Sequence, residues 1–523
     1  MIPKYGCLLL GLLTVCGAAA QHPDDEYYPY AARQEERTPL LLTDSTLFYR
    51  AVQTTPDLYA EHTAFNLPYV SVKRRGLNYR DESASVGGVP LSSRYFGAMR
   101  LLGADEVRYG GLAAADGATG GAGGLRLFRF ADDYPQASRY AAVSFTDRNY
   151  LAGARLSVTE PLGCDWSGTA ALDARTGREG VFTNALTASL RAAKRFGDDH
   201  NLSLTLIVPP SVRGTRLSSA EEAFRLTGDR LYNPAWGFQH GKVRNSRVRR
   251  EFVPLAVFSY RMPVSQSTSL AADFSAEYGT RKYSALGWYD ARTPMPDNYR
   301  YLPGYTGDRE TEQAWRANDA RYTQIDWDEL IAQNRMAAGH AVYALEDRTE
   351  RLGDLNFSAL FTTALDARLT LRYGLVLRHA RSRNYKQMRD LLGAEYITDI
   401  DQYLVDDDTY SNLLQNDLRR PGRTIRKGGR FGYDYALTTR RADARLHAEY
   451  RSDRFRADLV LSLGAAAVCR RGYYEKELFP GAQSYGRSRR VRFTPYTLRA
   501  TAGWAFSPRS YLEALAAAEA VLP

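Results

Sequence analysis

The 523-residue chain has four cysteines, six methionines and seven histidines, and these scarcities narrow its chemistry first. Cys7 and Cys16 fall in an N-terminal apolar stretch. Cys164 and Cys469 stand far apart, with no Cys-x-x-Cys pair and no histidine cluster, so neither zinc nor dithiol chemistry is indicated. A disulfide between those two stays open, since it needs only an oxidising compartment. Past the N-terminus no apolar run is long enough for a helical membrane span. No catalytic constellation stands out either. Asp273 and Glu277, with Ser275 between them on one strand face, read as the lining of a wet interior, and His379 and His447 are isolated. The glycines at 110–111 and 117–124 lack the Lys-Ser or Lys-Thr of a phosphate loop and read as a tight backbone passage. A non-enzyme without cofactor or bound metal is expected. The one cation candidate is calcium at Asp406-Asp407-Asp408, weighed against a solvated acidic loop.

What the chain does have is aromatic surface and alternation. Aromatics make up 12% of it, including 36 Tyr, yet mean hydropathy is −0.43. That pairing fits strands with one greasy and one wet face. The net charge of +10 is not gathered into a nucleic-acid stripe. Arg155, Arg372, Arg378, Arg445 and Arg456 instead alternate with apolar residues, as positions facing a lumen would.

Residues 201–288 carry one unit almost whole. Leu270, Ala272, Phe274, Ala276 and Tyr278 share a parity, with Asp273, Ser275 and Glu277 opposite. The pattern recurs at Ala152, Ala154 and Leu156 against Gly153, Arg155 and Ser157. It recurs again at Leu369, Leu371, Tyr373, Leu375 and Leu377, and at Ala442, Ala444, Leu446, Ala448 and Tyr450. Alternation alone also fits a soluble sandwich. Loop length discriminates: short turns near 196–200, 262–266, 366–368, 452–454 and 507–509 alternate with inserts near 212–248, 289–350, 381–438 and 471–489. Short turns on one side and long loops on the other predict an all-β, antiparallel transmembrane β-barrel of about thirteen strands.

Residues 1–20, with Lys4, an apolar core and Ala18-Ala19-Ala20, read as a cleaved secretory signal. Residues 21–38 read as a flexible lead-in, 39–130 as a small α+β plug-like domain, and 131–523 as barrel strands. The residues that resemble a known family begin in the plug-like part. Arg75-Gly76, a spacer and Gly88-Val89-Pro90-Leu91 are similar to the plug motif of TonB-dependent outer-membrane receptors, with Gly87 where that family usually has Asn. Phe145-Thr-Asp-Arg-Asn-Tyr150, Tyr232-Asn-Pro-Ala-Trp236-Gly-Phe238 and Ser284-Ala-Leu-Gly-Trp288-Tyr289 resemble the large Bacteroidetes-type receptors.

The resemblance implies a plug inside an outer-membrane barrel and nutrient import energised through TonB, ExbB and ExbD. A surface lipoprotein is a candidate partner, and no nucleic acid is expected. It also implies about twenty-two strands, so thirteen are expected to form a C-terminally incomplete sheet that cannot close alone. No TonB box is recognisable between Gln21 and Pro39. The ligand candidates are the loop aromatics Tyr232, Trp236, Phe238, Trp288, Tyr289, Tyr299, Tyr301 and Tyr305, with an interfacial girdle as the rival role for Trp288 and Tyr289. A passive porin-like barrel and a secreted β-rich carbohydrate-binding protein are the alternative functions.

Overall fold

The computed structural model describes residues 82–521 together with one earlier strand, Ala51–Gln53. The internal stretches 110–113, 116–117, 122, 131–135, 147–149, 178–179, 198, 290, 403–413 and 508–509 are not described. The leader, Arg75-Gly76 and the Asp406-Asp407-Asp408 run thus lie outside the described residues.

Among the described residues, seventeen strand segments form one large sheet arranged as a closed barrel. Several are pieces of a single stave. Ser211–Gly214 follows His200–Val208 across Pro209-Pro210 along the same neighbour, and Leu255–Pro263 likewise follows Val248–Phe252 across Val253-Pro254. Proline has no N–H for the ladder, so the strands break where it falls. Gly486–Arg487, Val491–Phe493 and Tyr496–Ser507 all pair with Phe455–Gly472. Joined in this way the staves number thirteen, the count the alternation predicts. The Ala-rich run 511–522, which out of context also suits a helix, is strand as far as Ala520.

The expectation that the sheet cannot close is corrected by this arrangement. An open edge in lipid would leave each backbone N–H and C=O there without a partner, at several kcal/mol apiece, and curling into a ring limits that exposure. With an odd number of staves, the last (Ser510–Ala520) and the first (Ser138–Phe145) run in the same direction. Among the described residues, antiparallel ladders cross the other twelve junctions of the ring.

Burial is inverted relative to a soluble sandwich. Phe274, Leu355, Leu375 and Leu459 are exposed on the outside, whereas Asp273, Ser275, Ser358, Asp443 and His447 are buried within. One outward row runs Leu204, Phe258, Phe274, Phe357, Leu377 across five neighbouring staves. The inward row beside it runs Ser203, Ser259, Asp273, Ser358, Val376, Asp443. Next to the short turns sits an aromatic girdle: Trp166, Phe196, Phe455, Trp504 and Phe506 are exposed, and Phe196 stacks on Tyr260. Lipid is the solvent this outer surface suits.

The turns at 164–165, 264–267, 365–368 and 452–454 are short. Opposite them the first two connections are also brief, and the long inserts follow. Four staves run to 21 or 22 residues each: Thr268–Trp288, Tyr343–Ala364, Leu369–Asp390 and Arg430–Arg451. About ten residues cross a bilayer, so their far halves stand clear of it. There cross-strand ion pairs take over from grease: Arg383 holds Asp434 at 2.8 Å and Arg281 holds Glu350 at 3.1 Å. Both ends of the predicted insert 381–438, as far as Asp390 and from Arg430 onward, are therefore strand.

Within the ring lies a five-stranded mixed sheet, ordered Ala51–Gln53, Asp105–Tyr109, Gly124–Arg129, Glu82–Val86, Val89–Pro90, with the helix Phe96–Leu101 beside it. Its one fully buried carboxylate, Glu106, is held by Arg100 and by Arg126 at 3.1 Å. Val89, Tyr95, Met99 and Phe128 share one apolar cluster with Ala171, Ile207, Leu255 and Val257 of the surrounding staves. The small domain and the wall are packed together as plug and barrel.

Candidate functional site

The strand Glu82–Val86 turns back at Gly87-Gly88 into Val89–Pro90. Gly87 has φ +55, a left-handed conformation that side chains disfavour. Gly88 cannot carry a side chain for another reason: a Cβ there would collide with Ser358. The absence of both Cβ atoms lets the turn come flush against the inward row of the wall. The Gly88 N–H donates to Asp273 Oδ2 at 2.8 Å. Asp273 also accepts from Ser259 Oγ at 2.7 Å and from Arg261 at 2.9 Å, and its side chain is wholly buried. The plug is thus held through its backbone by a carboxylate whose charge a wall arginine balances.

Further contacts fix the rest of the plug. Tyr95 Oη donates to Val253 O at 2.9 Å, and Ser157 Oγ to Leu101 O at 2.6 Å. The Arg191 guanidinium lies 4.2 Å from the centre of the Phe130 ring. Motif residues Gly88, Val89 and Pro90 therefore sit at the docked turn, while Arg75 and Gly76 fall outside the described residues. Asp273 was legible as a lumen residue but not as the plug's partner.

The predicted ligand aromatics separate into packed and exposed sets. Tyr232 is buried against Trp315 at 5.6 Å and donates to Thr323 O at 2.7 Å. Burial raises its pKa well above the ordinary phenol range, with the Asp297 carboxylate adding to the shift, which keeps it a neutral donor. Tyr289 is buried in a second apolar cluster. Tyr301 donates to Thr293 O at 3.0 Å beneath the Arg292 guanidinium. Trp236 and Phe238 meet edge to face in a small loop sheet, and Trp288 stands exposed at the end of its long stave. Tyr299 and Tyr305 form an exposed edge-to-face pair, centroids 5.4 Å apart, with Arg300 over Tyr299.

Sequence reasoning missed the scaffold that holds these loops. Asp308, Asp319 and Asp326 each cap the start of a short helix. The Thr311 hydroxyl and the helix N–H groups bonded to Asp308 hold its carboxyl below the usual range. An Asp two or three residues ahead of Glu310 or Glu329 was the available signal. The buried Asn334 side chain accepts from the N–H groups of Val342 and Tyr343 and donates to the carbonyls of Tyr343, Leu391 and Leu392.

His447, Glu449 and Asp458 bring ligand-type atoms within 4.8 Å of one another on the inner wall. Their chemistry is that of an ion-pair network: Arg372 holds Glu449 at 2.7 Å, Arg451 also holds Glu449, and Arg456 holds Asp458 at 3.1 Å. Three guanidiniums around two carboxylates oppose a divalent cation. Cys164 and Cys469 are both free, so the disulfide left open above is not formed.

No protein-family model matches the sequence, and no curated protein matches it. Solved structures resemble it in backbone trace at low identity. The ferripyoverdine receptor of the Pseudomonas aeruginosa outer membrane aligns at 10% identity and a TM-score of 0.49, over 83% of this chain and 50% of that one. The ferric yersiniabactin uptake receptor of Yersinia pestis aligns at 8% and 0.48, over 81% and 53%. The siderophore receptor PiuA of Acinetobacter baumannii aligns at 10% and 0.46, over 81% and 56%. The chain spans about half the length of these structures.

Proposed function

We propose that the protein is an outer-membrane uptake receptor of the TonB-dependent kind, not an enzyme. In this reading a small nutrient is gathered at the outer loops and admitted when energy coupling loosens the plug. The observation that carries it is the Gly88–Asp273 contact inside an inverted barrel. A lumen filled by a domain that is docked through hydrogen bonds, and not merely by side chains of the wall, is suited to gated passage. Tyr299 and Tyr305 are the strongest candidates for ligand contact, because exposed rings offer rigid apolar area to a flat ligand. The partners on this reading are outer-membrane lipid, the TonB–ExbB–ExbD machinery and a surface lipoprotein.

Two measurements test it. In planar bilayers the full chain should carry almost no current, and a chain lacking residues 39–130 should conduct steadily. The purified receptor should also capture the periplasmic domain of TonB. A full chain that conducts like its plugless variant would make the barrel a passive pore, and failure to capture TonB would remove the energised mechanism.

A further inference from the structure

Outside the barrel, on the side of the long loops, the apolar rows give way to arginine. Leu375 and Leu377 are exposed toward lipid, and the next positions of the same parity on their stave are His379, Arg381 and Arg383. The register carries this change across the neighbouring staves. His379 lies opposite Arg440, Arg440 opposite Ala467, and Ala467 opposite Arg492. Further along the same staves Arg351 lies opposite Arg383, and Arg471 opposite Arg487. Like charges directly opposite each other on a sheet repel, a cost that a bound anion removes. Asp434 supplies a carboxylate to Arg383. Among the described residues none of Arg381, Arg440, Arg471, Arg487 and Arg492 is ion-paired, and all five are exposed. The contacts of this group are neutral: Arg381 donates to Tyr473 Oη at 3.0 Å, and Arg471 lies 5.4 Å from the centre of the same ring. A belt of uncompensated guanidiniums therefore borders the greasy surface at the depth where a bilayer presents its headgroups.

We propose that these five arginines hold the phosphate groups of an anionic lipid whose acyl chains lie along the exposed Leu375, Leu377 and Leu463. The planar guanidinium fork matches phosphate oxygens in pairs, and the leucines beneath offer the chains an apolar bed, so one amphipathic molecule satisfies both surfaces at once. A free phosphate would meet only the upper half of this arrangement. The inference rests on the barrel standing in a bilayer and is independent of what the barrel admits.

Native mass spectrometry of the full chain in detergent tests it, by titration with tetraoleoyl cardiolipin, with dioleoyl phosphatidylcholine and with inorganic pyrophosphate. Cardiolipin should be held about tenfold more tightly than phosphatidylcholine, whose phosphate is already balanced by its own choline. That preference should shrink at high ionic strength. Arg440→Gln with Arg492→Gln, and separately Arg471→Gln with Arg487→Gln, should each weaken cardiolipin binding about fivefold, the loss of two exposed charge contacts. Either double variant serves should the other not fold, as judged by an unheated gel, and the headgroup comparison needs no variant. Arg316→Gln with Arg321→Gln removes the same charge from arginines that are ion-paired in the loops, and should leave binding unchanged. Equal retention of the two lipids, unchanged affinity in the belt variants, or an equal loss in the loop variant would overturn the proposal. Pyrophosphate bound as tightly as cardiolipin would overturn it too, because the acyl chains would then contribute nothing.

Discussion

Asp273 concentrates the structure's consequences into one side chain. Asp273→Ala strands the Gly88 N–H and leaves the Arg261 charge without its counter-ion, a loss of about 2–4 kcal/mol from the docked state. Purified protein should show it as an earlier loss of the plug in hydrogen exchange, while the barrel stays intact. Asp273→Asn keeps an acceptor for Gly88 and should fall between variant and parent. Gly88→Ala drives a methyl into Ser358 and should undock the turn as fully. Adding Ser358→Gly makes room again, so the double variant should regain protection, and a double variant as exposed as Gly88→Ala would refute the steric account. Asp297 in the loops behaves differently. Burial raises its pKa, against the pull of a Ser219 hydrogen bond. The fold therefore favours the protonated acid: its contribution is complete below the ordinary carboxylate range and is lost as pH rises through the raised value. Asp297→Asn should slow proteolysis of this loop at neutral pH and change nothing in acid.

At the scale of elements, Asn334 ties the helix Trp327–Met336 to two separate stretches of chain. Asn334→Ala removes five hydrogen bonds from a buried position, so about 3–5 kcal/mol of loop stability should go with it. Limited proteolysis should then cut within 320–342 while the staves remain protected. The same scale marks where the sequence could be read and where it could not. The bilayer-crossing halves announce themselves, because Phe274 and Leu375 must meet lipid while Asp273 and Arg372 must not. The outer halves do not: the Arg383–Asp434 pair looks like scattered charge until the register sets the two residues on neighbouring staves. The glycine turn was visible as a motif, but its partner was not. Which carboxylate Gly88 meets depends on the stagger of the whole ring, a property no local window contains.

For the whole molecule, inverted burial and short-turn girdle together predict its handling. The folded barrel should migrate faster than the heat-denatured chain on a detergent gel, and Asp273→Ala should not alter that shift, since the ladders and not the plug hold the ring. A lost shift would mean that the plug is part of what keeps the barrel standing. The docked turn has one more consequence. The wall holds a peptide N–H, so the grip depends on the shape of the backbone and not on any charge the plug carries. Tension along Glu82–Val86 arrives directly at Gly87, which bends with φ +55 hard against the Asp273 carboxylate. On the proposed uptake reading, straightening that bend would swing the amide off its acceptor, so a pull along the strand would release the turn at the point where the wall holds it.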